Sequence, residues 1–401
     1  MVAVRWGNLV ARAAYFTQPL SGPCCQEAIV AENSLEAAEA LQGWYHVPSG
    51  LWSTAGWWNG ANCLTVLADW VLSAGAAAKS LDVPEIIVNT FKNAQQVSAT
   101  AQKWVSATGL VTSTYRYERR GKRGFAEFIN NYYDDEGWWA LALIRSWDVT
   151  RQQAYLDMAE HIFEDMQAGT DDVCGGGIWW SKEKQYKNAI ANELYISVAA
   201  SLANRIPDKK QRYEQLAKEA WAWFKASGMI NRDSLINDGL AIDADGRCTN
   251  NGLTTWSYNQ GVVLGGLVEL ANATGDPSYL GEATAIANAA VELLSDENGI
   301  IREVDGCEPD CGADGSQFKG IFVRNLHYLH RAAPRDAFQT AIRKNAESIW
   351  ANNRNDKNQF GIQWAGPADA GIGPTAATHS SAMDVIVAAL AIDLQGRVES
   401  R

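Results

Sequence analysis

The stretch Asn130-Asn131-Tyr132-Tyr133-Asp134-Asp135-Glu136-Gly137-Trp138-Trp139-Ala140-Leu141-Ala142-Leu143-Ile144 decides how the chain is read. From Trp138 onward it is apolar on every side of a helix, so that helix has no wet face and is surrounded by protein. Just before it, two adjacent acids stand at the helix start among four aromatic rings. Backbone amides and the helix dipole favour a carboxylate there, which suits a nucleophile. Burial against Tyr133, Trp138 and Trp139 raises a carboxyl pKa, which suits a proton donor. The plain alternative is an N-cap acid with solvated neighbours, because Asp and Glu are common at helix starts.

Other segments divide the same way. Cys63-Leu64-Thr65-Val66-Leu67-Ala68, Val262-Val263-Leu264-Gly265-Gly266-Leu267-Val268 and Val385-Ile386-Val387-Ala388-Ala389-Leu390 are apolar all round. Gln211-Arg212-Tyr213-Glu214-Gln215-Leu216-Ala217-Lys218-Glu219 and Ala341-Ile342-Arg343-Lys344-Asn345-Ala346-Glu347 each carry one charged face. The periodicity predicts about twelve helices, near 34–46, 58–77, 85–107, 135–147, 150–167, 187–204, 208–227, 256–273, 277–296, 317–331, 335–353 and 377–395, and no convincing strand series. Outer and inner helices alternate, beginning with an outer one. Six such pairs, each roughly 55–65 residues, predict an all-α (α/α)6 toroid, a six-hairpin architecture. No repeated signature supports an open solenoid. Residues 1–33 are expected to be a poorly structured N-terminal segment and 34–401 a single catalytic domain.

The chain has 401 residues, 47% of them hydrophobic, enough for a large core. A net charge of -12 argues against nucleic acid and against an anionic membrane surface as partners. No run approaches the ~20 apolar residues of a membrane span, so no stable membrane insertion is expected. Seventeen Trp and thirteen Tyr are many for this length; some supply core, and others suit the apolar C–H faces of sugar rings. The seven Cys include no CxxC pair. Cys307 and Cys311 can close a small loop, Cys174 and Cys248 can pair across the fold, and Cys63 is expected to stay free in an apolar helix. An oxidising compartment fits such pairs. The first 25 residues hold no apolar stretch long enough for a signal peptide, and the true start is expected to be missing.

Further constellations surround the acids. Asp171-Asp172-Val173-Cys174-Gly175-Gly176-Gly177-Ile178-Trp179-Trp180-Ser181 puts three glycines before two indoles. Gly176 there allows close approach of a ligand, and Trp179 offers a stacking face; a phosphate loop is excluded by the lack of a following Lys-Ser/Thr. In Lys187-Asn188-Ala189-Ile190-Ala191-Asn192-Glu193-Leu194-Tyr195, Asn188 and Asn192 share a face able to bind hydroxyls, or to cap the preceding loop. Asp238, Tyr258, Gln260 and Trp364 lie in segments pairing amide or acid groups with aromatics, as polyol recognition needs. Trp57, Trp58 and Asn59 open another apolar helix and join Tyr133 and Trp138 as candidate substrate contacts. His327 and His330 lie one helical turn apart with no acid spacing that completes a metal site, so no metal is expected. No Gly-x-Ser-x-Gly elbow is present.

In three blocks, Tyr132 to Ala142, Cys174 to Ser181 and Lys187 to Leu194, the chain resembles glycoside hydrolase family 76, the endo-α-1,6-mannanases, in residues, order and spacing. The likeness runs from about residue 34 to the C-terminus. It implies an (α/α)6 fold, a retaining mechanism with Asp134 as nucleophile and Asp135 as general acid/base, and no metal or organic cofactor. It implies α-1,6-mannan as the partner, monomeric action, and a secreted or cell-wall location. One branch of the family consists of cell-wall mannan transglycosidases with a lipid-anchor tail; the chain ends Gln395-Gly396-Arg397-Val398-Glu399-Ser400-Arg401, so hydrolysis is the expected outcome. A non-catalytic glycan-binding toroid is the competing class.

Overall fold

The computed structural model describes residues 31–95, 99–105, 111–117, 125–304 and 306–399. Most of the expected N-terminal segment, with Cys24 and Cys25, lies outside them.

Twelve long helices and one single-turn helix are described. The inner set is α2 (Trp57–Ala74), α4 (Tyr133–Thr150), α6 (Ala189–Arg205), α8 (Ser257–Thr274), α11 (Phe318–Ala332) and α13 (Ala376–Glu399). The outer set is α1 (Ala31–Gln42), α3 (Val83–Asn93), α5 (Gln153–Ala168), α7 (Lys210–Ala226), α9 (Ser278–Leu294) and α12 (Asp336–Asn352). The single turn α10 (Gly312–Gly315) precedes α11. Each inner helix packs on the next, α2 on α4, α4 on α6, α6 on α8, α8 on α11 and α11 on α13, and α13 returns to α2. The ring is therefore closed, and the chain is the (α/α)6 toroid its periodicity predicts.

Burial explains the two sets. In α6 every residue from Ala189 to Ala203 is buried, because outer helices cover one side and ring neighbours the others. In α7 only Tyr213, Ala217, Trp221 and Phe224 are buried, a stripe at helical spacing. Full burial of a large apolar side chain contributes about 1.5–3 kcal/mol, so the stripe alone fixes α7 to the ring. Close approach needs small residues: a Cβ on Gly320 of α11 would stand 2.3 Å from the Ser381 carbonyl oxygen of α13. Ala376–Gly396 is long and apolar enough on average to cross a membrane, although Asp384, Asp393 and Thr378-His379-Ser380-Ser381 keep it from being an unbroken apolar run. In the fold it is an inner wall, 83% buried.

The expected helix over 85–107 is corrected. It stops at Asn93, and the chain enters an antiparallel hairpin, β3 (Ala99–Val105) with β4 (Val111–Tyr117), in which Lys103 pairs with Ser113. Two shorter ladders, β1 (Tyr45–His46) with β2 (Leu51–Trp52) and β5 (Leu240–Ile242) with β6 (Cys248–Asn250), lie in other connections. The cysteines behave as the sequence suggests: Cys174–Cys248 and Cys307–Cys311 are disulfides, and Cys63 is free and buried.

Candidate active site

The start of α4 is built by its two flanking segments. Tyr132 is extended and has no side-chain cap, so neighbouring backbone supplies partners. The Tyr133 amide donates to the Trp180 carbonyl at 2.9 Å, and the Lys182 amide donates to Asn131 at 2.9 Å. The glycine-rich segment thus runs beside the acidic turn. Asn130 ties the turn together. Its Oδ1 accepts from the Tyr132 amide at 2.7 Å, its own amide donates to Glu136 Oε1 at 3.0 Å, and its Nδ2 donates to Asp135 Oδ2 at 2.7 Å.

Both aspartates face inward. Asp135 is fully buried and Asp134 is 7% exposed. Lys103 of β3 reaches between them, its Nζ donating to Asp134 Oδ2 at 2.8 Å and to Asp135 Oδ1 at 2.5 Å. Two oxygens at 2.8 and 2.5 Å from one nitrogen lie within 5.3 Å of each other by the triangle inequality. The other Asp134 oxygen, Oδ1, is buried with no partner. Burial pushes the Asp135 carboxyl up to about 7, against the pull of Lys103 and with the added repulsion of Asp134. For Lys103 burial alone would lower the pKa, but Asp134, Asp135 and Asp314 outweigh it and hold the ammonium charged. Glu136 is buried behind the pair, where Lys182 meets it at 3.1 Å and also reaches Asp165 on α5 at 2.8 Å.

Some expected contacts do converge here. Trp58 stacks on Trp138 with centroids 5.5 Å apart and donates its indole N–H to Asp314 at 2.8 Å. Asp238 receives the Tyr186 hydroxyl at 2.5 Å; burial and the charge of Asp134 raise its carboxyl to about 6 although that hydrogen bond opposes them. Tyr258 stacks on Phe318 at 3.8 Å. Burial raises its phenol well above its ordinary value, with the charges of Asp238, Asp134 and Glu193 acting in the same direction.

Others serve the scaffold instead. Trp57 is fully buried against Phe125 and Trp139, with its N–H on the Ala94 carbonyl, so no face is left for a sugar. Gln260 bonds the amide and the carbonyl of Ile236, and Asn192 does the same for Ile178, so both clamp loops. Asn188 caps α6 through the Ala191 amide. Asn59 is held by Gln317 at 2.9 Å. A Cβ on Gly176 would meet the Trp223 ring at 2.9 Å, so its bareness serves packing on α7. Tyr133 lies against Gly169, Trp179 donates to Asp171 at 2.6 Å, and Trp364 is buried beneath the Lys319 ammonium.

Sequence reasoning missed Lys103, Asn130, Tyr186, Glu193 and Asp314 as members of this cluster. Glu193, fully buried on α6, has neither carboxyl oxygen partnered, and burial raises its pKa well above the ordinary value. Asn130 stands in the acidic stretch itself, four residues before Asp134, and was legible as a turn residue. Glu193 and Tyr186 lie in or beside the quoted Lys187–Tyr195 segment, where helical spacing drew attention to the two asparagines instead; Lys103 and Asp314 sit far away in sequence with no local signal.

A cavity of about 420 Å³ opens inside the ring, from the middle of the inner helices towards their C-terminal ends, lined by Ser201, Arg205, Asn325 and Arg331, among others, with Trp138 also in its lining. Half-buried Arg205 and buried Arg324 in its lining are already paired, Arg205 with Asp148 at 2.8 Å and Glu269 at 3.1 Å, Arg324 with Asp384 at 3.2 Å.

A closed ring of six helical hairpins, with two adjacent carboxyls at the start of the inner helix α4, has the architecture of the six-hairpin glycosidase class. Residues 36–400 match the profile of Glycosyl hydrolase family 76, and the chain belongs to that family. It is 28% identical over 252 residues to the mannan endo-1,6-alpha-mannosidase DFG5 of Saccharomyces cerevisiae, covering 58% of this chain and 54% of that protein. It is 28% identical over 282 residues to the mannan endo-1,6-alpha-mannosidase DCW1 of the same yeast, covering 65% of this chain and 61% of that protein. The chain therefore spans a little over half the length of these curated relatives. Its fold matches an inactive variant of the alpha-1,6-mannanase GH76A of Salegentibacter sp. HEL1_6 in complex with alpha-1,6-mannotriose, with two consecutive aspartates replaced by asparagine. The TM-score is 0.72 at 22% identity, over 90% of this chain and 99% of that one. Dfg5 from Chaetomium thermophilum, solved with glucosamine, matches with TM-score 0.72 at 18% identity, over 91% and 90%.

Proposed function

We propose that the protein cleaves α-1,6-mannosidic links within mannan with retention of anomeric configuration. Asp134 is the nucleophile and Asp135 the acid/base. The carrying observation is the pair itself: adjacent carboxyls sharing one cation, with oxygens within 5.3 Å, fit the roughly 5–5.5 Å of retaining enzymes better than the roughly 6.5–9.5 Å of inverting ones. Asp134 Oδ1 accepts no hydrogen bond from the protein, which leaves that oxygen's lone pairs uncommitted, as a nucleophile requires. Asp135, with its carboxyl raised to about 7, can hold a proton for the leaving oxygen and later take one from water. The activities named for the yeast relatives and for the bacterial neighbour supply the substrate. Two disulfides favour a secreted or cell-wall location, and the enzyme acts as a monomer.

The test measures reducing ends released from linear α-1,6-mannan, with NMR of the first anomer formed. Asp134→Asn and Asp135→Asn should each lose about a hundredfold or more in rate. Near-full activity in either variant, or an inverted first product, removes the assignment.

A further inference from the structure

The Lys103 ammonium stands where the reaction must take place. On the mechanism proposed above, the scissile bond lies between an Asp134 oxygen and an Asp135 oxygen, with reacting atoms about 3–3.5 Å apart. That gap holds Lys103 Nζ, bonded to both carboxylates and buried with 1% of its side chain exposed. Sugar and ammonium cannot share it.

Several contacts set the lysine there. Alternation along β3 turns Lys103 inward and leaves the next residue, Trp104, 68% exposed. The Lys103 amide donates to the Tyr132 hydroxyl at 3.1 Å, and its ammonium lies 4.8 Å from the Tyr132 ring centre and 5.6 Å from that of Trp180. On the other strand, β4 packs on α10, which carries Asp314. No ring helix contributes the cation. It comes from a two-stranded hairpin outside the ring, in which Ala101 and Tyr115 pack on the core while Trp104 stays exposed.

We propose that Lys103 is a built-in competitor for substrate: its ammonium occupies the place of the scissile bond, and productive binding of a manno-oligosaccharide requires β3 to withdraw it. This rests on the mannanase reading and adds to it a residue that sets apparent affinity. If the withdrawn state holds about one molecule in ten, apparent affinity is about tenfold below the intrinsic one.

The experiment compares wild type, Lys103→Met and Tyr132→Phe. It reads kcat/KM on α-1,6-mannotetraose, and calorimetric binding of α-1,6-mannotriose to Asp134→Asn with and without Lys103→Met. Lys103→Met should raise kcat/KM about tenfold and tighten mannotriose binding by a similar factor. Tyr132→Phe, which removes only the hydroxyl holding the strand, should give a smaller rise in kcat/KM. A folded Lys103→Met with unchanged or lower kcat/KM and unchanged binding overturns the inference, because the lysine is then a positioning residue and no competitor. Should Lys103→Met fail to fold, Tyr132→Phe decides: a rise supports the proposal and no rise overturns it. A wild type that neither binds nor cleaves these oligosaccharides removes the mannanase reading and this inference with it. An active wild type with no gain in the variants removes this inference alone.

Discussion

Removing the Asn130 side chain should move the alkaline limb of activity to higher pH. In the reaction proposed here Asp135 must carry a proton in the first step, so kcat/KM falls as pH rises through its pKa. Burial places that pKa at about 7. Asn130 Nδ2 opposes the shift by donating to Asp135 Oδ2 at 2.7 Å, a bond that favours the ionised form. A hydrogen bond to a charged group is worth roughly 1.5–3 kcal/mol, and one pKa unit is about 1.4 kcal/mol. Water replaces part of what Asn130→Ala removes, so the lower end applies and the limb should rise by about one unit. Lys103 on β3, Asp134 on α4 and the Asn130 turn are the polar or charged groups that face Asp135, and only the last is altered. The assay is the initial rate of reducing-end release from mannan between pH 4 and 9. A limb that stays in place or moves down refutes the view that Asn130 tunes the acid, or that Asp135 is the acid.

Two further predictions concern stability. Lys187, with no side-chain exposure, donates to Asp171 at 2.9 Å and to the carbonyls of Val173 and Gly176 at 2.7 Å each, pinning the glycine-rich segment beside α4. Lys187→Met should cost about 2 kcal/mol in urea unfolding, because the Val173 and Gly176 carbonyls lose a charged donor while the Asp171 carboxylate left behind is partly exposed; a change under about 0.5 kcal/mol contradicts that role. Glu193 carries a raised pKa through burial, so its stabilising protonated form is complete below its ordinary value of 4.5 and is lost as pH rises. Relative to Glu193→Gln, the wild type should therefore lose up to about 1.4 kcal/mol per pH unit above that value, read from urea midpoints at three pH values; a constant difference shows an ionised or solvated Glu193.

The ring was legible because burial on all sides erases helical periodicity in the inner set and leaves it in the outer set, as α6 and α7 illustrate. The acid pair was legible because a helix start and a crowd of rings are local features. The β3–β4 hairpin was not, and its residues show why. A surface strand normally puts apolar side chains inward, whereas here Lys103 turns in and Trp104 turns out, reversing the usual alternation. Trp57 and Gln260 illustrate a different gap. Sequence identifies an indole or an amide beside the site, but the direction it faces depends on partners such as Phe125 and Ile236, distant in the chain.

The rear cavity reaches Trp138, and there its lining ends; neither aspartate borders it. Trp138 in turn lies against Trp58, so a stacked indole pair lies where that lining meets the acidic turn. On the proposed mechanism the departing sugar and the incoming water then both meet the glycosyl ester on the acidic side of that indole pair. A product slow to leave shields the ester from solvent, and another sugar hydroxyl arriving on that side competes with water for it. The choice between chain cutting and chain joining thus becomes a matter of which hydroxyl reaches Asp135 first.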